Sequence, residues 1–163
     1  MNDTLEPTLR EVAEETLQSL AFLFPLEPEA EVEVDQTGET ATARVNYTGP
    51  CGGCLLVTVP RSMLPPLTAN MLGLPEAQAP AGEEEVDALK ELANVICGNL
   101  LPAVAGREAV FRISAPEVLE ASGPDLDPAH GELAGTAFVP LEEGWARLEL
   151  YMGPASSEPG GPG

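Results

Sequence analysis

Between residues 83 and 101 apolar side chains recur every three or four positions, while the segments on either side repeat every two. A helix brings residues three or four apart onto one face, and a strand alternates its faces, so neither period can serve the other element. The chain must therefore lay one long helix against strands drawn from both sides of it. The helical stripe is Val86, Leu89, Ala93, Ile96 and Leu100. Glu83, Glu84 and Glu85 open this helix, where the dipole favours negative charge. Before it, Ala41, Ala43, Val45 and Tyr47 alternate with Thr42, Arg44 and Asn46, the pattern of a half-buried strand. Val32 and Val34 predict a shorter strand ahead of a turn at 36–39. Residues 54–59 form a compact apolar strand ended by Pro60, completing a meander. After the helix, segments 110–114, 118–121, 133–139 and 145–152 read as strands, the last two a hairpin about the turn 141–144.

Two further helices complete the pattern. Leu9, Val12, Ala13, Thr16, Leu17, Leu20 and Phe24 predict one over residues 8–24, with Thr8 as N-cap, Glu11 closing a capping box, and Pro25 and Pro28 ending it. Residues 62–72 predict another, with Pro65 and Pro66 in the first turn, where missing N–H groups cost least, and Gly73 just past its end. Helices between blocks of antiparallel strands imply an α+β fold: one domain over residues 1–152, its antiparallel sheet carrying two long helices on one face. Residues 153–163 (GPASSEPGGPG) have nothing to bury and are expected to form a disordered tail.

Charge narrows the function. With 27 acidic and seven basic residues the formal charge is −20. Such a surface repels nucleic-acid phosphates and anionic lipid headgroups and attracts a partner with a basic rim; it also serves plain solubility. No apolar run approaches the ~20 residues of a membrane helix, and Met1–Pro7 has neither a basic nor an apolar leader pattern. A cytoplasmic protein, with no nucleic-acid role and no membrane insertion, is the expectation. Three cysteines do not describe a secreted disulfide scaffold.

The long helix carries a second stripe, Asp87, Glu91, Asn94 and Gly98, turned away from the apolar one. Asn gains nothing for an exposed helix interior, and Gly costs ~1 kcal/mol there against Ala. The stripe sets a carboxylate, an amide able to donate and accept, and a bare stretch of backbone in line. Two readings stand: a solvated polar face with Gly98 packed under a strand, or a face that meets a partner, with Asp87 and Gly98 as contacts.

The run Asp87-Ala88-Leu89-Lys90-Glu91-Leu92-Ala93-Asn94-Val95-Ile96-Cys97-Gly98-Asn99 resembles the signature helix of the CheC/CheX/FliY phosphatases of bacterial chemotaxis, in which Glu-x-x-Asn is followed by a Gly-Asn pair. Residues 53–59, the helix ending Met71-Leu72-Gly73, and residues 113–119 are similar to flanking segments of that family. A single Glu-x-x-Asn helix points to the CheX-like branch. The resemblance implies hydrolysis of the phosphoaspartate of a phosphorylated CheY-type receiver. Glu91 would anchor a receiver lysine, and Asn94 would orient the attacking water. It further implies that this chain binds no cofactor or metal, that Mg²⁺ comes with the receiver, and that homodimers can pair through sheet edges such as residues 145–152. Asn99, about 140° from Asn94 on the helix, reads as structural, bonded to backbone near a strand end.

Other signals compete. Glu15 and Gln18 on the first helix repeat the carboxylate–amide spacing, with Gln where a second family site would need Asn. Cys51-Gly52-Gly53-Cys54 lies in a turn before a strand rather than opening a helix, so a tight turn outweighs a redox motif. A metal site would have to recruit Cys97 and His130, which lack motif spacing. Cys97 adjoins the polar face, which would open it to oxidation, and His130 lies in a surface loop. The alternative to a phosphatase is a non-catalytic module of the same fold that docks on a receiver or flagellar-switch protein.

Overall fold

The computed structural model describes residues 5–25, 38–75, 82–119, 132–142 and 144–153. Along these the chain forms helix α1 (Glu6–Ala21), strands β1 (Thr40–Thr48) and β2 (Gly53–Pro60), and helices α2 (Leu64–Leu72) and α3 (Glu83–Ala105). Strands β3 (Arg112–Ile113), β4 (Glu117–Leu119), β5 (Glu132–Leu141) and β6 (Gly144–Met152) follow. The α+β architecture is the one expected. The strand anticipated at 32–34, His130 and the tail from residue 154 lie outside the described residues; Gly153 lies within them and donates its N–H to the Gly52 carbonyl.

Every ladder is antiparallel. The sheet order is β3-β1-β2-β6-β5, with β4 also paired to β1. The hairpin β5–β6 turns between Leu141 and Gly144, as its spacing predicts. Strand β6, however, sits between β2 and β5, so it is not an edge strand. Its own alternating pattern could not reveal this, because the ladder from Gly53↔Met152 to Thr58↔Arg147 joins residues far apart in the chain. Among the described strands the edge on that side is β5, which Pro25 bridges at Leu141.

Alternation along the strands divides the sheet cleanly. Ala41, Ala43, Val45 and Tyr47 of β1, Leu55, Val57 and Val59 of β2, and Ala146, Leu148 and Leu150 of β6 join one core with the buried side chains of the three helices. The other face carries polar pairs: Thr42 and Thr58 share a hydrogen bond of 2.8 Å, and Arg44 bridges to Glu117 at 2.6 Å. There Trp145 stacks on Phe138, with the Arg147 guanidinium 5.4 Å from its ring centre. Where β1 and β2 meet at Tyr47↔Gly53, a Cβ on Gly53 would lie 1.9 Å from the Tyr151 carbonyl. Glycine there allows the Tyr47 hydroxyl to donate to that carbonyl at 2.6 Å. The CxxC segment is thus a turn whose second glycine is needed for packing.

The helix ends differ from their predicted chemistry. Helix α1 starts earlier than its capping signal. Its N-cap is Leu5, with no side-chain cap bond, and Thr8 lies inside the helix. Pro7, in the first turn, tolerates this because its missing N–H would be unpaired there anyway. The helix stops at Phe22, three residues before Pro25, in a left-handed conformation with φ 53°. Helix α2 follows a short 3₁₀ turn at Arg61–Met63 and ends on Gly73 at φ 74°. Helix α3 runs through Pro102 to Ala105, four residues past its predicted end. A proline near a C-terminus forfeits one backbone bond and leaves the later ones intact.

Candidate functional site

Helix α3 packs between α1 and α2 and over strand β1. That flanking buries Ala88, Leu89, Leu92, Ala93, Ile96, Cys97, Leu100 and Leu101. The buried arc is wider than the five-residue stripe expected, and Val86 is only half-buried. At 100° per residue the arc covers about 220° of the helix surface. One strip remains open, and Asp87, Glu91, Asn94 and Gly98 lie along it, all exposed. Glu91 and Asn94 are one turn apart, about 4.5 Å along the axis. The structure thus brings these four sequence-predicted residues together on one exposed surface.

Among the described residues, a Cβ placed on Gly98 meets nothing within 4 Å. Gly98 is therefore not packed under a strand among the described residues. Pro102, also exposed, extends the strip. Sequence reasoning ended the helix before Pro102 and so missed it; its four-residue spacing from Gly98 was the available signal.

Asn99 points around the helix, and its Nδ2 donates to Thr16 Oγ1 on α1 at 3.4 Å. Its partner is a helix side chain and not backbone at a strand end. Thr16 is itself buried, so this bond joins the two helices beside the strip. Cys97 is fully buried, which corrects the expectation that it is open to oxidation. Burial, helped by nearby Cys54, pushes its thiol up to about 12. Burial also raises Cys51. Reactive cysteines need the opposite shift. Among the described residues no group of three or more His, Cys, Asp or Glu side chains could hold a metal ion, and no helix is long and apolar enough to cross a membrane.

An exposed amide beside a carboxylate on a surface helix has nothing of its own to act on. Any chemistry at this pair would be that of a molecule docked there. A family model described as chemotaxis phosphatase CheX matches residues 41–137, more than half of the chain and all of the strip from Asp87 to Pro102. The chain belongs to the CheX family. No curated protein matches it. Among solved structures, a chemotaxis protein CheX from Desulfovibrio desulfuricans aligns with a TM-score of 0.68 at 18% identity, over 91% of this chain and 99% of that one. FliY from Thermotoga maritima aligns with a TM-score of 0.61 at 16% identity, over 92% and 89%. The CheX of a CheX–CheY–BeF₃–Mg²⁺ complex from Borrelia burgdorferi aligns at 0.56 and 15% identity, over 94% and 99%. These likenesses establish the CheX-like fold; membership of a chemotaxis phosphatase family rests on the sequence match.

Proposed function

We propose that this chain hydrolyses the phosphoaspartate of a CheY-type response-regulator receiver, with Asn94 orienting the attacking water. The observation that carries the reading is the open strip of α3. Helices α1 and α2 and strand β1 cover the opposite arc and leave Glu91 and Asn94 one turn apart and exposed. The Borrelia complex supports the choice of partner, since that CheX is bound to CheY.

The chemistry fits what the strip offers. An acyl phosphate is already activated, so hydrolysis needs no nucleophile from this chain. Water attacks phosphorus in line, the bond from phosphorus to the aspartyl oxygen breaks, and inorganic phosphate and a free carboxylate result, with the water's protons passing to phosphate and solvent. Holding water in line supplies much of the available rate gain. The Asn94 amide can accept from one water hydrogen while its N–H₂ steadies a phosphoryl oxygen, a role like that of the water-orienting glutamine of GTPases. Glu91 pairs with a receiver lysine and so fixes the depth and angle of the amide. Asp87 extends the negative face toward the same basic rim, and the charge of −20 favours encounter with it.

Mg²⁺ belongs to the receiver in this reading. Among the described residues no group of three or more His, Cys, Asp or Glu side chains could hold a metal ion, and no step is routed through a metal held here. A homodimer, if formed by sheet pairing, would use the β5 edge.

The test is direct. A CheY-type receiver is charged with acetyl phosphate, and phosphate release is followed with wild type and with Asn94→Ala. The expected result is acceleration by wild type and its loss in the variant, with binding retained. Binding by wild type without acceleration would overturn the enzyme and leave a docking module.

A further inference from the structure

Helix α3 departs from helix preference twice in succession, just beyond Asn94. Position 98 is glycine although a Cβ there would meet nothing within 4 Å, and Gly98 is not among the residues with positive φ. Neither packing nor backbone conformation calls for glycine, and alanine would favour the helix. Pro102 stands four residues on. It has no N–H, so the Gly98 carbonyl lacks the donor that position 102 would otherwise supply, and the ring crowds that carbonyl. The helix nevertheless continues to Ala105 and closes with the Gly106 N–H on the Pro102 carbonyl at 2.9 Å. The missing side chain and the missing backbone donor coincide on the open strip. At 100° per residue, positions 87, 91, 94, 98 and 102 fall within about 80° of one another, and all five residues are exposed. Gly98 lies about 6 Å along the axis from Asn94.

We infer that Gly98 and Pro102 are positioning residues for the docked receiver. The bare turn lets the receiver surface seat against the helix backbone, and the Gly98 carbonyl accepts a hydrogen bond from a receiver N–H or hydroxyl. This seating sets how far the Asn94 amide reaches toward the phosphoryl group. The inference rests on the phosphatase reading above and adds to it a structural element outside the Glu-x-x-Asn pair.

The two roles predict different kinetic losses. A methyl at 98 holds the receiver off and Asn94 back, so Gly98→Ala lowers kcat and raises KM. Pro102→Ala returns an N–H to the Gly98 carbonyl and removes one acceptor from the partner, so its loss falls on KM. Phosphate release is measured from the acetyl-phosphate-charged receiver over a range of receiver concentrations, with melting curves for each variant. Gly98→Ala is expected to cut kcat/KM roughly tenfold or more, and Pro102→Ala about three- to tenfold, the size of one hydrogen bond. Both should melt higher than wild type, Gly98→Ala by about 2–4 °C, because each restores helix preference. Wild-type kcat/KM in both variants would overturn the inference while leaving the phosphatase reading intact. Lost activity together with a lowered melting temperature would show an ordinary structural role and also overturn it. A wild type that fails to accelerate phosphate release would bring down the phosphatase reading itself, before any variant is compared.

Discussion

Helices α1 and α3 lie against each other on one face of the sheet, joined by the Asn99–Thr16 hydrogen bond. Each carries a carboxylate followed three residues later by an amide, Glu15 and Gln18 on α1, Glu91 and Asn94 on α3, and all four side chains are exposed. The two helices differ in what comes next. Four residues after Asn94 stands Gly98, with open space where its side chain would be. Four residues after Gln18 stands Phe22, where the helix has ended, the backbone is left-handed and the ring is 59% exposed. A non-glycine residue in that conformation costs about 1 kcal/mol, and it carries a large exposed side chain where α3 carries none. Gln18 also has one more rotatable bond than Asn94 and so loses more freedom when held in place. A carboxylate–amide pair on a helix is thus not sufficient to mark a site. The clear approach beside it separates α3 from α1.

This contrast can be broken by experiment. The largest effect expected is on Asn94→Ala, which should lower catalysed phosphate release about a hundredfold or more, the scale of losing the group that positions the nucleophile. If activity survives in Asn94→Ala and disappears on adding Gln18→Ala, the assignment of the two helices is reversed. Glu91→Ala should cost about tenfold, mostly in receiver affinity, and the loss should shrink as salt is raised, because the pair it removes sits at a solvent-exposed rim. Titration with salt checks both points.

A third expectation concerns the buried side of α3. Cys97 has its thiol pushed from an ordinary 9.0 up to about 12, mainly by burial and then by Cys54. In the unfolded chain it ionises near the ordinary value, so above that pH the unfolded state binds fewer protons than the folded one, and stability falls with rising pH. The contribution is intact below about pH 9 and is lost progressively toward about pH 12. Urea unfolding across that window should show the decline, and Cys97→Ala should reduce it; Tyr47, Cys51 and Tyr151, each raised chiefly by burial, add to the slope. The smallest effect belongs to α1. Gln18→Ala should leave phosphate release within about twofold of wild type and stability within about 0.5 kcal/mol, as for an ordinary surface substitution. A larger loss of activity would give α1 a role in the reaction.

Much of this was legible in the chain itself. The period-two runs located β1, β2, β5 and β6 to within one or two residues, because strand alternation is a local property and one sheet face is buried. The outward placement of Asp87, Glu91, Asn94 and Gly98 followed from helix period alone, for the same reason. The resemblance to the CheC/CheX/FliY family supplied a task for two of these side chains, and the family match later covered the same residues. What failed was mostly non-local. Strand β6 looked like an edge, and Cys97 looked accessible from its place beside the polar stripe. The capping box at Thr8 failed locally, superseded by the earlier start at Leu5 and Pro7.

The sequence by itself determined which residues of α3 share a face, that the helix is bordered by antiparallel strands, and that Glu91 and Asn94 stand one turn apart. Those facts depend only on the rise and twist of a helix and the pleat of a strand. Tertiary structure alone decided how much of α3 is covered, that Cys97 is sealed, that Asn99 bonds Thr16, and that no described residue covers Gly98. Each depends on which distant segments pack against the helix flanks, and the period of a segment carries no record of its neighbours in space. The open strip lies opposite the arc that α1, α2 and the sheet cover.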